Sequence, residues 1–215
     1  HHLLRRQRQM CIRDSSLAVL RGNLAPDGAV MKPAAAEARL HKHTGPAIVF
    51  DSYKEMKAAV ENETLDVTAD HIMVFRNAGP VGGPGMPEWG MLPIPVKLVK
   101  QGVRDMLRIS DARMSGTSYG ACILHAAPEA AIGGPLALVK NGDMIAVDVA
   151  ARTLDLLVDE AELQARKQVW QPPEQIVSRG YHWMSAQHIQ QADKGCDFDF
   201  LETTFGKSAG EPDIF

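Results

Sequence analysis

Residues 133–168 read GGPLALVKNGDMIAVDVAARTLDLLVDEAELQARKQ, and their pattern decides the fold class of this chain. The stretch alternates short strand-like runs with a tight KNGD turn at residues 140–143, a turn chemistry that joins neighbouring strands. Asp159, with Glu162 three residues later, then has the pattern of a helix start. Strands joined by tight turns and followed by a helix are typical of a β-rich domain.

The same alternation continues on the N-terminal side of this stretch. Short β-branched and aromatic runs predict further strands at residues 45–51, 71–76, 104–110 and 121–127. Helices are predicted after the capping box of Ser52 and Glu55, over residues 94–103, and over residues 178–192 with a stop at Gly195. Several short strands with three or four helices predict a mixed α/β, β-rich domain and not a doubly wound sheet.

One long loop separates the predicted strands. Residues 79–87 hold four glycines and three prolines, too many for regular structure. The loop must therefore be ordered by the groups it packs against or binds, and Glu88 lies at its end.

The composition is that of an ordinary globular protein. The 215 residues are 45% hydrophobic and 23% charged, and 23 basic against 26 acidic residues give a net charge of -3. This balance argues against nucleic acid as a partner, and the sequence has no apolar run of membrane-spanning length. The three cysteines, Cys11, Cys122 and Cys196, are far apart, which favours a reducing cytoplasm and gives no cysteine motif for a metal.

The N-terminal segment differs from the rest of the chain. Residues 1–15, HHLLRRQRQMCIRDS, carry four arginines and no apolar period. We interpret them as a non-native or disordered segment. The domain is then expected to occupy residues 16–215, with its native reading frame truncated on the N-terminal side.

Residues 108–120, RISDARMSGTSYG, concentrate small polar side chains between apolar runs. Within them, GTSYG fits the G-x-S-x-G pattern of a serine hydrolase with Ser118 as nucleophile. Acids and histidines that permit the order Ser, Asp, His lie downstream: Asp148, Asp155, His182 and His188. Such a nucleophile needs a strand directly before it and a helix directly after it, whereas DARMSG precedes this serine and Pro128 cuts the next apolar run short. A hydrolase is therefore the weaker interpretation.

A second interpretation joins GGPGMPEWG, residues 82–90, to SDARMSGTSYG, residues 110–120. These segments closely resemble the C-terminal domain of the dihydroxy-acid/phosphogluconate dehydratases, iron–sulfur enzymes that dehydrate 2,3-dihydroxy acids and aldonic acids. The similarity extends from about Leu17 to the C-terminus. The motifs PEWG, SDARMSG and GCDFDFL look like the sugar-acid branch, which acts on pentonates such as arabinonate or xylonate. Enzymes of branched-chain amino-acid synthesis more usually read TDGRFSGGT.

The resemblance implies a lyase that removes the C2 proton beside a carboxylate and expels the C3 hydroxyl, giving a 2-keto-3-deoxy acid. By similarity, Ser115 is the base, acting as an alkoxide, and Thr117 contacts substrate or supports that serine. A serine hydroxyl stays protonated at neutral pH unless a strong positive field or a group of N–H donors stabilises the alkoxide. Gly116 would let backbone amides approach that oxygen. Glu88 matches the one Mg²⁺ ligand that this domain contributes, in keeping with the preference of hard cations for carboxylates.

The family also implies an architecture and partners. Its fold for this region is a β-barrel-like swivelling β/β/α domain with flanking helices. The iron–sulfur cluster cysteines, the other Mg²⁺ ligands and much of the substrate wall lie in a larger N-terminal domain, so no cluster-binding residue is assigned here. We expect this chain to be inactive alone, and the intact enzyme to be a cytoplasmic homodimer or homotetramer that acts on a small sugar acid.

Several residues and alternatives stay open. Asp111 and Arg113 either orient substrate or form a structural pair. Packed or solvated positions are predicted for His43, His71 and His125, and core positions for Cys122 and Cys196. The sequence ends EPDIF, where many sugar-acid members are expected to end in histidine. A dihydroxy-acid dehydratase of branched-chain amino-acid synthesis is the first alternative, and a binding domain without chemistry is another.

Overall fold

Eight β-strands close into a barrel in the computed structural model, which describes residues 17–174 and 178–201. The strands are β1 (Ala18–Gly22), β2 (Ala25–Met31), β3 (Lys42–Phe50), β4 (Ile72–Phe75), β5 (Arg108–Ser110), β6 (Cys122–Ala127), β7 (Met144–Asp148) and β8 (Thr153–Leu156). Their order around the barrel is β1-β2-β6-β5-β4-β3-β7-β8. The mixed α/β, barrel-like fold predicted from the sequence is therefore confirmed.

Parallel strands form one half of the barrel, and the other half is antiparallel except where β1 pairs with β8 in parallel. β3, β4, β5 and β6 are parallel, while β2 joins β6, β7 joins β3, and the pairs β1–β2 and β7–β8 are all antiparallel. The barrel closes where Arg21 of β1 lies opposite Thr153 of β8. The Asn23 side chain completes this seam, because it donates to the Leu156 carbonyl at 2.8 Å and accepts the Leu156 N–H at 2.6 Å. Closure removes the free sheet edges.

Four α-helices lie within the described ranges: α1 (Tyr53–Glu61), α2 (Val96–Lys100), α3 (Glu160–Val169) and α4 (Gly180–His188). The predicted capping box begins α1, since Ser52 Oγ accepts the Glu55 N–H at 3.2 Å. Asp159 occupies the predicted N-cap of α3, but its side chain makes no capping hydrogen bond. No helix in the described part of the chain has the length and apolar character needed to cross a bilayer.

The apolar side chains form two cores. One fills the barrel with alternate residues of the strands, among them Leu20, Ile72, Ile109, Ile123 and Leu154. The other lies between the outer surface of the parallel strands and the first two helices, and includes Met56, Met73, Phe75, Leu98 and Met106. β4 contributes to both cores and is buried along its whole length. A strand with two buried faces reads as a continuous apolar run, which is why residues 71–76 are recognisable as a strand from sequence.

Several elements differ from the sequence predictions: β5 covers only Arg108–Ser110 of the predicted 104–110, and α2 covers only Val96–Lys100 of the predicted 94–103. The hairpin of β1 and β2 was not predicted, although it supplies two of the barrel strands. The helix predicted over residues 178–192 ends at His188, because the next segment turns back and Ile189 pairs with Phe198. Gly195 does lie at a left-handed stop, with φ 88°. The predicted N-terminal segment, residues 1–15, and the C-terminal EPDIF lie outside the described residues.

Candidate active site

The predicted base lies in the loop that joins two parallel strands. β5 ends at Ser110 and β6 begins at Cys122, so residues 111–121 form the crossover, which we call the serine loop. Ser115 is half-buried in it, and Gly116 and Thr117 are exposed.

Two polar groups of Thr117 lie within hydrogen-bond distance of the Ser115 hydroxyl. The Thr117 N–H donates to Ser115 Oγ at 3.3 Å, and Thr117 Oγ1 lies 3.0 Å from the same oxygen. With the threonine hydroxyl as donor, both bonds would stabilise negative charge on Ser115 Oγ. The structure therefore brings together the two predicted catalytic residues in a geometry that suits an alkoxide.

A lysine from another part of the chain also holds the serine loop. Lys32 follows β2 directly, and its Nζ donates to the carbonyl oxygens of Ser115 at 3.0 Å and Gly116 at 2.9 Å. Sequence reasoning missed Lys32. No local motif marks it, because only the pairing of β2 with β6 brings the end of β2 beside the serine loop.

Glu88, the predicted metal ligand, meets the serine loop through an ion pair. Its Oε1 lies 3.1 Å from Arg113 Nη2, and both side chains are about half exposed. The next residue, Trp89, stacks on Tyr53 with ring centroids 5.2 Å apart, which anchors the end of the loop. The alternative that Arg113 pairs with Asp111 is wrong, because Arg113 pairs with Glu88.

The chemistry of Glu88 suits one ligand to a hard cation. Its carboxylate is accessible and sits on a loop whose position is held by packing. Within residues 17–174 and 178–201, no group of three or more His, Cys, Asp and Glu side chains could hold a metal ion. The described residues therefore do not form a complete metal site by themselves.

Two fully buried carboxylates order the glycine- and proline-rich loop. Asp111 accepts the N–H groups of Asn77, Ala78 and Ala130 at 3.0–3.2 Å. Burial raises the pKa of Asp111 from 3.8 to about 6, against the lowering effect of these backbone hydrogen bonds. Asp111 thus acts as a structural brace at the start of the serine loop.

Glu129 braces the same loop from the other side. Its Oε1 accepts the Val81 N–H and its Oε2 accepts the Gly82 N–H, both at 2.9 Å. Gln191, from the segment after α4, donates to Glu129 Oε1 at 2.7 Å and accepts the Glu129 N–H at 2.9 Å. One carboxylate therefore joins the glycine-rich loop to the C-terminal segment. No sequence motif had singled out Glu129.

His125 supports the serine loop from within β6. Its backbone has φ 56°, and the register between β2 and β6 shifts in this region, as at a β-bulge, which re-aims a side chain. The His125 Nε2 accepts the Met114 N–H at 2.9 Å, which requires an unprotonated nitrogen. Burial, with the charge of Arg113 adding to it, lowers the pKa of His125 and so favours that form. Of the packed or solvated positions predicted for His125, the structure shows a half-buried one with a specific partner.

The far end of the serine loop is fixed by a buried ion pair. Arg108 Nη2 lies 3.0 Å from Asp105 Oδ1, and the same carboxylate accepts the Ala121 N–H at 2.9 and 3.0 Å. A Cβ at Gly120, where φ is 77°, would lie 2.2 Å from Arg108 Nη2. The loop is therefore held by buried contacts at both ends, and its tip carries the half-buried Ser115 and the exposed Thr117.

Ser118 lacks the surroundings of a hydrolytic nucleophile. It is buried, and within the described residues its Oγ has no hydrogen-bond partner, so no histidine there is placed to take its proton. β5 ends well before it, and the next element is a strand instead of a helix. The geometry therefore disfavours the serine hydrolase interpretation.

A pocket of about 500 Å³ opens beside the serine loop. One wall comes from the outer surface of the β1–β2 hairpin, and the other from Met114, Ser115, Gly116 and His125. Lys32 also lines the pocket, and Asp111 does not. Ser115 is thus accessible from a cavity of small-molecule size.

Known dehydratases are similar to this chain over most of its length. The family profile described as dihydroxy-acid/6-phosphogluconate dehydratase C-terminal matches residues 2–196. The 6-deoxy-6-sulfo-D-gluconate dehydratase of Pseudomonas putida is 56% identical over 200 residues, which are 93% of this chain and 34% of that protein. The L-arabinonate dehydratase of Rhizobium leguminosarum bv. trifolii is 50% identical over 195 residues, 91% of this chain and 34% of that protein.

Dihydroxy-acid dehydratases are similar over a shorter part of the chain or at lower identity. That of Methanoregula boonei is 49% identical over 156 residues, 73% of this chain and 28% of that protein. That of Thermodesulfovibrio yellowstonii is 40% identical over 185 residues, 85% of this chain and 33% of that protein. The chain spans about a third of the length of the curated relatives it matches.

Proposed function

Since this chain belongs to the dihydroxy-acid/6-phosphogluconate dehydratase family, through that family's C-terminal region, we propose that it is part of a longer hydro-lyase. That enzyme dehydrates an aldonic acid to a 2-keto-3-deoxy acid, with Ser115 as the base. The observation that carries the proposal is the placement of both Thr117 donors on Ser115 Oγ, beside an accessible pocket.

The residues of this chain account for the proton transfer. Ser115 Oγ, as an alkoxide held by the Thr117 N–H and O–H groups, takes the C2 proton of the substrate. As the C2–H electrons form a C2=C3 double bond, the C3–O bond breaks, and the departing hydroxide takes the proton from the Ser115 hydroxyl, which forms water and restores the alkoxide. The resulting enol tautomerises to the 2-keto-3-deoxy acid. The proton is weakly acidic, so the step requires a positioned base beside a positive field.

The longer enzyme is proposed to use an iron–sulfur cluster and Mg²⁺. When bound, these groups supply a Lewis acid for the C3 hydroxyl and a cation for the substrate carboxylate. Glu88 is proposed as this chain's Mg²⁺ ligand, with Arg113 as its partner in the absence of metal. The cluster ligands and the other Mg²⁺ ligands are proposed to come from the remaining part of the longer chain.

The identities to relatives favour a sugar acid as the substrate. The sugar-acid dehydratases of Pseudomonas putida and Rhizobium leguminosarum are 56% and 50% identical to this chain, against 40–49% for the dihydroxy-acid dehydratases. The alternative substrate is a 2,3-dihydroxy acid of branched-chain amino-acid synthesis.

A substrate panel on the full-length enzyme tests this choice. The panel holds L-arabinonate, D-xylonate, 6-deoxy-6-sulfo-D-gluconate and a 2,3-dihydroxy-3-methyl acid, and the 2-keto product is measured. The proposal predicts the highest kcat/KM for one of the sugar acids. A preference for the branched dihydroxy acid would establish the alternative. A fluorophosphonate probe that labels the wild-type chain but not Ser118→Ala would instead establish a hydrolase.

The remaining properties are proposals on the same basis. Family membership supports assigning the barrel to the swivelling β/β/α type, placing the enzyme in the cytoplasm, and expecting a homodimer or homotetramer. We also propose that the 215-residue chain has no dehydratase activity alone, because its described residues supply a base and one carboxylate toward a metal. Activity of the isolated chain in the substrate assay would contradict this. If the full-length protein binds an aldonate but does not convert it, the domain has a non-catalytic binding role.

A further inference from the structure

Lys32 bridges two successive peptide groups at the tip of the serine loop. Its ammonium donates to the carbonyl of Ser115 at 3.0 Å and to the carbonyl of Gly116 at 2.9 Å. These carbonyls belong to the peptide groups on either side of Gly116. One side chain therefore sets the orientation of both.

The second of these peptide groups also contacts the proposed base. In a trans peptide the C=O and N–H bonds are coplanar and point in opposite directions. Because the Gly116 carbonyl faces Lys32, the N–H of the same peptide group, on Thr117, faces away from Lys32 and donates to Ser115 Oγ at 3.3 Å. Lys32 and Ser115 Oγ thus hold opposite ends of a single peptide group.

Sterics alone do not keep that peptide group in place. Gly116 is exposed, and a Cβ built on it would have no neighbouring atom within 4 Å. Glycine also permits backbone conformations closed to other residues. Rotation of the peptide group would turn the Gly116 carbonyl toward Ser115 Oγ and would repel an alkoxide. A charged donor on the carbonyl opposes this rotation and polarises the N–H at the other end.

We propose that Lys32 is a positioning residue for Ser115. By holding the Gly116 carbonyl it keeps the Thr117 N–H directed at Ser115 Oγ and so stabilises the deprotonated serine. This inference rests on the proposed role of Ser115 as the base. Lys32 acts through the peptide group and not by accepting a proton.

The kinetic test uses the full-length enzyme with three variants. Lys32→Met removes the donors, Lys32→Arg keeps a charged multiple donor, and Lys54→Met removes an exposed lysine on α1 as the matched control. Lys32→Met is expected to lower kcat about 10- to 100-fold with a smaller change in KM, because Lys32 is proposed to act through the peptide group that stabilises the alkoxide. Lys32→Arg should restore most of the loss, and Lys54→Met should resemble the wild type. An unchanged kcat in Lys32→Met, or a loss that Lys32→Arg does not restore, would overturn the proposal.

A second test is independent of activity. Amide hydrogen exchange of the peptide that contains Thr117, measured by mass spectrometry on the full-length enzyme, is expected to be about tenfold faster or more in Lys32→Met and unchanged in Lys54→Met. If the wild-type full-length enzyme dehydrates no aldonic acid, the proposed function fails, while faster exchange at Thr117 still supports the positioning role. If that enzyme is active and exchange at Thr117 is unchanged by Lys32→Met, the positioning role fails and the proposed function stands.

Discussion

Ser115 gains its proposed reactivity from residues that lie close to it in sequence and from one that does not. Thr117 donates its N–H to Ser115 Oγ and places its hydroxyl 3.0 Å from the same oxygen, and Lys32 is proposed to orient the N–H. The distinction between Ser115 and Ser118, only three positions apart, comes from these contacts. Ser118 is buried without a hydrogen-bond partner in the described residues, whereas Ser115 lines a pocket and contacts both the N–H and the hydroxyl of Thr117. These contacts favour Ser115 as the proposed base over the Ser118 of the short nucleophile pattern.

Removing the Thr117 hydroxyl tests the donor pair. In the full-length enzyme, Thr117→Val keeps the N–H donor and loses the O–H donor at 3.0 Å, so kcat is expected to fall about 10- to 100-fold. Thr117→Ser keeps the hydroxyl and serves as the control, with kcat close to that of the wild type. Steady-state kinetics on an aldonic acid measure both. Equal rates for the two variants would show that the threonine hydroxyl contributes nothing.

The buried carboxyl of Asp111 makes stability depend on pH in a direction opposite to that of an exposed, paired acid. Its pKa is raised from 3.8 to about 6 by burial, so the folded protein binds this proton more tightly than the unfolded chain. Protonation of Asp111 therefore stabilises the folded protein fully below about pH 4, and this stabilisation is lost as the pH rises through 6.

Urea unfolding of the wild type and of Asp111→Asn at about pH 4.5 and about pH 7 checks this. Between these two pH values the wild type is expected to lose about 2 kcal/mol more free energy of unfolding than Asp111→Asn, which has no carboxyl to titrate there. The comparison with the variant cancels the titration of the histidines. An equal change in both proteins would show that Asp111 keeps an ordinary pKa.

Two loops and the C-terminal segment form one braced unit through Asp111 and Glu129. Glu129 accepts the N–H groups of Val81 and Gly82 within the glycine- and proline-rich loop, and Asp111 accepts that of Ala78 directly before it. Gln191 ties the segment after α4 to the same brace. The sequence predicted that other groups must order this loop, and Asp111 and Glu129, which lie far from it along the chain, do so.

Loss of the Glu129 carboxylate should loosen this unit. Glu129→Ala leaves the Val81 and Gly82 N–H groups without acceptors, which is expected to cost about 2–4 kcal/mol of stability. Chemical denaturation measures the loss, and hydrogen exchange should quicken at those two amides. Glu61→Ala, at an exposed position at the end of α1, is the control and should change little. Unaltered exchange at Val81 and Gly82 would contradict the bracing role.

The sequence predicted the strands and helices that are marked by a pattern within a few neighbouring residues. β3 and β4 read as apolar runs, and the capping box marks the start of α1. The β1–β2 hairpin was not predicted. Pro26, Asp27 and Gly28 are residue types that favour turns, whereas in the barrel they belong to a strand with a bulge at Gly28, where φ is 117°. Long-range pairing, not local propensity, decides such a strand.

The same limit applies to the site. Ser115, Thr117 and Glu88 were identifiable by resemblance of their motifs, and the structure gathers Ser115 with Thr117 and brings Glu88 to the same loop through Arg113. The roles of Lys32, Glu129 and His125 were not identifiable, because they arise from contacts that the closed barrel creates. The barrel thereby places Ser115 and Thr117 at the tip of the serine loop, and the accessible Glu88 at the end of the glycine- and proline-rich loop.

The assay of Ser115→Ala in the full-length enzyme tests the central claim most directly. Formation of the 2-keto-3-deoxy acid from the best aldonic substrate is expected to fall about 10²- to 10⁴-fold, the contribution of a general base. The thermal unfolding midpoint should stay close to that of the wild type, because the Ser115 hydroxyl bonds only to the exposed Thr117 among the described residues. A folded Ser115→Ala enzyme that makes the product at the wild-type rate would contradict the account.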